Sequence, residues 1–249
     1  MQCLYAPMPR SFLTARWQSL VLLNYRCPAE LLRPLVPAGT ELDDWHGVPL
    51  VSLVGFRFLH TRVRGLGIPG HRSFEEVNLR FYVRREASDG VRRGVVFIRE
   101  LVPRSLVAAA ARFLYNEPYQ ALQMGHDVDL TEASGGSARY SWVHKGSTYS
   151  LAATVSGPAR PLTAGSEAEF ITEHYWGYNK QRDGSTLEYR VDHPPWVVWE
   201  CEDATYSKPP DSSLYGPGFT YVLASKPVSA FMAMGSAIEV HRGTRLGTA

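Results

Sequence analysis

Apolar residues recur at every second position in several stretches of the chain, most clearly in "FEEVNLRFYVRRE" at 74–86. Val77, Leu79, Phe81 and Val83 fall on one side of an extended chain, and Glu76, Asn78, Arg80, Tyr82 and Arg84 on the other, because successive side chains of a strand point to opposite faces. "SDG" at 88–90 predicts a hairpin, with "VVFIREL" at 95–101 as the returning strand. "WQSLVLLNYR" (17–26) and "VPLVSLVGFRF" (48–58) are more continuously apolar and rich in residues that favour strands. Further strands are predicted at 138–145, 148–155, 175–180, 186–192, 196–202 and 219–225, with Gly146 and "RDGS" (182–185) as turns.

Helical signals are fewer. "CPAELLRPLVP" reads as a short helix, with Pro28 in its first turn and Pro34 ending it. After Arg99 and Glu100, Pro103 stands near the start of an alanine-rich helix. Leu106, Val107, Ala110, Phe113 and Leu114 share one face of it, and Asn116 and Pro118 close it. "SEAEFITEHY" (166–175) predicts a helix capped by Ser166 with Glu169. Many strands with few helices predict a mainly β (α+β) chain that forms a closed or nearly closed barrel. The segment 157–169 reads as a loop inside one domain spanning 1–249.

Composition narrows the function classes. With 249 residues, 45% of them hydrophobic, the chain can bury a full core. A net charge of +2 argues against a nucleic-acid partner. No apolar run reaches the ~18 residues of a membrane span, and Pro7 and Pro9 interrupt a start that lacks a signal peptide's apolar run. Cys3, Cys27 and Cys201 are widely spaced, which suits a reducing compartment without a disulfide framework. The expectation is a cytoplasmic protein with neither membrane nor nucleic-acid partner, and the oligomeric state stays open, a homo-oligomer included. No G-x-G-x-x-G directly follows a predicted strand, and Walker, G-x-S-x-G, H-x-H and H-E-x-x-H patterns are missing, so no cofactor and no metal is expected.

Three groups of residues are candidates for chemistry. Glu76, Asn78, Arg80 and Tyr82 form one strand face. If Asp89 and Gly90 make the turn, Arg80 lies opposite Arg99, and a carboxylate from Glu76 or from a ligand would sit between two guanidinium groups. The other reading of that face is a solvated exterior. "FITEHYWGY" (170–178) gathers Glu173, His174 and Tyr175, which could serve acid/base catalysis or simply end a helix. In "VDHPPWVVWE" (191–200), His193 precedes two prolines and Trp196 follows, forming either a pocket wall or a rigid turn.

The order "LNYRCPAELLRPLVPAGTEL", "VSLVGFRF", "FEEVNLRFYV", "GVVFIREL", "FITEHYWGY" and "HPPW" resembles the bacterial family called domain of unknown function 2071, or YqjF-like, over about Arg16 to Ser225. That family in turn resembles the acetoacetate decarboxylases, on "YRCPAELLRPLVP" and on "REL" at a strand end. The resemblance implies a cone-shaped β-barrel with flanking helices and an enclosed apolar pocket. In those decarboxylases a lysine soon after the Arg-Glu forms a Schiff base, its pKa lowered by an apolar site and a cationic neighbour. Here no lysine occurs before Lys145, and Arg104 cannot substitute, since guanidinium stays protonated. Arg99 and Glu100 match the family's Arg-Glu and are expected to shape the pocket mouth or hold an anion.

The leading expectation is a barrel that binds a small organic molecule, a carboxylate among the candidates. Glu76, Glu173, His174 and Tyr175 are its candidate acid/base groups. Asn78, Arg80, Tyr82, Arg99, Glu100, His193 and Trp196 are its candidate ligand contacts. One alternative is a lysine-independent lyase or hydrolase; the other is a decarboxylase whose lysine has moved to Lys145 or Lys180.

Overall fold

The structure is a computed structural model and describes residues 11–109, 116–207 and 211–246. Ala110, Phe113 and Leu114 of the expected helical face, and Cys3, lie outside the described residues.

The first half of the chain supplies β1 (Leu13–Arg26), α1 (Ala29–Leu32), β2 (Glu41–Leu42), β3 (Leu50–Val63), β4 (Phe74–Ala87), β5 (Gly90–Val102) and a helical turn at 105–109, here α2. β6 (Tyr119–Ala121), β7 (Gln123–Thr131), β8 (Gly135–His144), β9 (Ser147–Ser156), β10 (Arg160–Pro161) and α3 (Glu167–Thr172) follow. The chain ends through β11 (Trp176–Lys180), β12 (Thr186–Asp192), β13 (Val197–Glu200), β14 (Asp203–Ser207), α4 (Ser212–Tyr215), α5 (Pro217–Leu223), β15 (Ser229–Ala233), β16 (Ala237–Val240) and β17 (Thr244–Leu246).

Seven strands close a circuit: β1 pairs β3, then β4, β5, β11, β12 and β16, which returns to β1. All these pairs are antiparallel except β5 with β11. The barrel expected from the strand pattern is therefore present. A second sheet, in the order β14-β9-β8-β7, lies against the outside of β1, β3 and β4.

This double layer explains the two sequence patterns. β3 has an apolar face inside the barrel and another beneath the second sheet, so it reads as one apolar run. β4 alternates because its two faces meet different neighbours. Val77, Leu79, Phe81 and Val83 pack beneath the second sheet, while Glu76 and Asn78 point into the barrel, each 2% exposed. The solvated-exterior reading of that polar face is thus wrong.

Three local expectations need correction. Residues 219–225 form most of a helix, not a strand, because Pro217 supplies a first-turn residue with a pre-set φ after Gly216. The helix capped by Ser166 stops at Thr172 rather than Tyr175. The Ser166 hydroxyl does accept from the Glu169 N–H at 3.2 Å, as a cap should. The turn of the β4–β5 hairpin is Ser88-Asp89, since Ala87 pairs with Gly90.

Where β3 passes beneath the second sheet, Gly55 lets the layers touch. A Cβ there would lie 2.7 Å from the Tyr140 ring and 2.9 Å from Leu151. Tyr140 is held by its hydroxyl, which donates to the Ser19 carbonyl at 2.7 Å, so its ring cannot easily withdraw. Gly55→Val is expected to lower unfolding free energy by about 2 kcal/mol through overpacking, measured by urea denaturation; an unchanged midpoint would show that the layers are not in contact.

Candidate functional site

The barrel encloses a cavity of about 480 Å³, within the usual size range of a small-molecule site. Its walls are mainly aromatic and aliphatic: Trp17, Phe56, Phe58 and Phe74 form one side, with Trp17 meeting Phe56, Phe58 and Trp196 edge-on at centroid distances of 5.4, 6.1 and 6.1 Å. Leu66, Ile68 and Leu106 stand at the rim, largely exposed. Among the described residues no lysine lines the cavity, and Lys145 and Lys180 are exposed. A nucleophile moved to either of those two positions would therefore stand outside the cavity.

A single extra residue in β5 decides which charged group enters. From Ala87↔Gly90 to Arg80↔Phe97 the hairpin pairs regularly. The register then slips, so that Leu79 faces Arg99 and Asn78 faces Glu100. Ile98 is the extra residue, and beyond it every β5 side chain changes sides. Glu100 points inward and is 2% exposed. Arg99 points outward, where its Nε donates to the Leu214 carbonyl at 2.9 Å. The expectation that Arg80 and Arg99 share the interior is thereby corrected: Arg80 lines the cavity, Arg99 does not.

At one end of the cavity three carboxyl groups come together. Glu76 comes from β4 and Glu100 from β5, while Glu117 comes from the loop that leads into β6. Asn78 Nδ2 donates to Glu76 at 3.0 Å, the Tyr119 hydroxyl donates to Glu76 at 3.0 Å, and the Tyr189 hydroxyl donates to Glu117 at 2.9 Å. Burial is the main influence on all three, because it penalises the charged form. Burial lifts Glu76 to about 7, the nearby charge of Glu117 adding to it against the pull of Asn78 and Tyr119. It lifts Glu117 to about 7 against hydrogen bonds from Tyr189, Glu100 and Asn179. Glu100 is raised well above the carboxylate range by burial, then by Glu117 and Glu76. Two acceptor atoms here, Asn78 Oδ1 and Glu100 Oε2, are buried without a hydrogen-bond partner.

Gly177 in β11 makes room for one of these contacts. A Cβ at that position would lie 2.2 Å from the Tyr189 ring, the ring whose hydroxyl reaches Glu117.

The other candidates divide between cavity and wall. Thr172, His174 and Trp176 line the cavity, so Glu173 and Tyr175, which alternate with them, do not. Tyr175 donates its hydroxyl to Glu173 and stacks near His193 at 4.7 Å between centroids; His193 in turn stacks on Trp196 at 4.4 Å. Tyr175 and Glu173 therefore brace His193 from behind. Burial pulls His174 down to about 4, with Arg93 and Arg80 adding to the effect against Asp43, so it is neutral at pH 7. Its Nε2 lies 3.7 Å from Asp43, beyond hydrogen-bond reach. Tyr82 packs under Phe170 and His174, and its hydroxyl is 2.5 Å from Ser52, which takes it out of the cavity. Among the described residues no group of three His, Cys, Asp or Glu is arranged to hold a metal ion. Likewise, none of their helices is long and apolar enough to cross a membrane.

Sequence reasoning missed Glu117, Tyr119 and Tyr189. Tyr189 was findable, since Leu187, Tyr189 and Val191 alternate with polar residues in a strand placed correctly at 186–192. Glu117 and Tyr119 flank Pro118 in a segment that reads only as a helix end.

A family model described as DUF2071, uncharacterized conserved protein (COG2071), matches residues 14–237. Uncharacterized protein YqjF of Bacillus subtilis (strain 168) is 27% identical over 192 residues, 75% of this chain and 74% of that protein. Among solved structures, acetoacetate decarboxylase from Legionella pneumophila aligns with a TM-score of 0.63 at 15% identity, over 98% of this chain and 93% of that one. The enduracididine biosynthesis enzyme MppR complexed with pyruvate gives 0.67 at 14%, over 98% and 94%. An acetoacetate decarboxylase-like enzyme from Sphingomonas wittichii RW1 gives 0.63 at 14%, over 100% and 99%. At these identities the likeness to the solved structures concerns the fold.

The raised carboxyl groups have a consequence for stability. Glu76 and Glu117 hold protons in the folded state up to about pH 7, whereas an unfolded glutamate releases its proton near 4.3. Between those values the folded state binds more protons than the unfolded one, so unfolding free energy falls as pH rises through that window. Glu76→Gln with Glu117→Gln, which cannot ionise, is expected to flatten this fall in chemical denaturation series. A double variant with the wild-type slope would contradict the placement of these protons.

Proposed function

The chain belongs to the family of domain of unknown function 2071, and from that premise we propose that its barrel binds a small organic molecule and moves protons on it through Glu76, Glu100 and Glu117, without a Schiff-base lysine. One observation carries the reading: three buried carboxyl groups, two of them raised to about 7, meet at the end of a mainly apolar cavity. A general acid or base is most effective when its pKa lies near the working pH, and groups so perturbed concentrate at functional sites. An ionised member of the trio would accept a proton from the bound molecule while a protonated neighbour donates one, leaving the total charge unchanged. Arg80 Nε, Glu100 Oε2 and Asn78 Oδ1 lack partners, which suits a site that awaits a ligand better than one already satisfied. The pyruvate held by MppR, a protein of the same fold, supports a small organic molecule as the class of ligand. A carboxylate ligand would meet Arg80 but also three glutamates, so the balance of charge favours a ligand that is not an anion.

Benzylacetone offers a test, being neutral, apolar and equipped with acidic hydrogens beside a carbonyl. Incubated in deuterium oxide and followed by proton NMR, it is expected to exchange those hydrogens at least about tenfold faster with the wild-type protein than with Glu76→Gln/Glu117→Gln. Equal rates would overturn the acid/base reading. Fluorescence of Trp17 and Trp196 reports binding separately.

A further inference from the structure

We infer that the ligand of this cavity carries an ammonium group, which sits among Glu76, Glu100 and Glu117, and an apolar body that lies against Trp17, Phe58 and Trp196. The inference rests on the cavity being the ligand site and adds the ligand's class.

The unmet hydrogen-bonding capacity at the carboxyl end is the first argument. Asn78 Oδ1 is a buried acceptor without a partner, and Glu100 Oε2, also buried without one, becomes an acceptor once its carboxyl is ionised. The orientation of the Asn78 amide is fixed, because its Nδ2 donates to Glu76 at 3.0 Å. Buried acceptors call for donors, and an ammonium group brings three donors and no acceptor. A ligand carboxylate would bring acceptors to acceptors.

Charge is the second argument. The groups acting on the trio from the surrounding elements are Asn78 and Arg80 of β4, Tyr119 of β6, Tyr189 of β12 and Asn179 of β11. Arg80 is the one cation among them, set against three carboxyl groups. Without a second cation, the trio meets its deficit by holding protons. A ligand cation would do so instead, and would release those protons as it binds. The walls suit the same guest. Aromatic faces attract cations as well as apolar groups, and the cavity is lined by Trp17, Phe56, Phe58, Phe74, Trp176 and Trp196.

Competition between ammonium and protons fixes the sign of the pH dependence. Alkylamines, like lysine, stay protonated until about pH 10. Glu76 and Glu117 ionise near neutrality, so amine affinity should rise from about pH 6 to about pH 8 and then level off. A neutral ligand of the same shape should show no such rise.

Phenethylamine, phenethyl alcohol and hydrocinnamate share one apolar body and differ in the head group. Isothermal titration calorimetry on the full chain is expected to show phenethylamine binding at least about tenfold tighter than phenethyl alcohol at about pH 8. Protons should be released in proportion, as counted in buffers of different ionisation enthalpy. Glu117→Gln is expected to lose the preference for the amine. Should that variant fail to fold, the wild-type comparison decides alone. Equal binding of amine and alcohol, or tighter binding of hydrocinnamate, would overturn the amine assignment while leaving the cavity as a ligand site. If none of the three binds, the cavity reading fails together with it.

Discussion

Between Leu79 and Arg80 the pairing of β4 with β5 slips by one residue, and the side chains of β5 beyond Ile98 change sides. Because strand side chains alternate, one inserted residue is enough to exchange two neighbours of opposite charge. Arg99 goes to the outer layer and finds the Leu214 carbonyl. Glu100 goes to the interior and joins Glu76 and Glu117. Without the bulge the barrel would hold two arginines and two carboxylates, a balanced set that stays ionised. With it, the interior has three carboxyl groups against Arg80, and the excess is met by protons. The chemistry proposed for the cavity depends on that slip.

Desolvation turns the composition of this cluster into its behaviour. Glu76, Glu100 and Glu117 are shut away from water by a barrel whose β1, β3 and β4 walls are themselves covered by the second sheet. A carboxylate in such a place loses hydration that a few hydrogen bonds restore only in part. Tyr119, Tyr189 and Asn78 supply those bonds and bring Glu76 and Glu117 back to near neutrality. Glu100, which is equally buried and also faces the charges of Glu117 and Glu76, stays higher. The three residues are alike in type and differ in proton affinity through the donors each can reach and the carboxylates each must face.

Much of the fold was legible because its signals are local. The alternation in β4 placed Glu76, Asn78 and Arg80 on one face, and the cap at Ser166 and the strand at 186–192 came from short-range pattern. The barrel itself followed from the proportion of strands and from the family resemblance. What escaped has physical causes. A bulge leaves no mark in composition, so Arg99 was placed inside when only Glu100 is. Glu173 and Tyr175 sit next to His174 in sequence, but the extended chain after Thr172 sends them to opposite sides. Glu117 reaches the cavity only because the loop before β6 folds back onto β5, a long-range event that "YNEPYQ" does not announce. Residues 219–225 read as a strand because their aromatic and β-branched residues suit either state, and the signal for helix α5 is the lone Pro217 in its first turn.

Gly177 contributes no polar atom and no charge, yet the proton affinity of Glu117 depends on it. Tyr189 occupies the space where a side chain at 177 would begin, and only from there does its hydroxyl reach Glu117. An alanine would displace the ring and remove the donor that holds Glu117 near neutrality, while leaving the strand's backbone pairing in place. Selection on the acidity of this site can therefore act through a residue that touches neither proton nor ligand. A search for its determinants confined to ionisable side chains would pass over the position that sets one of them.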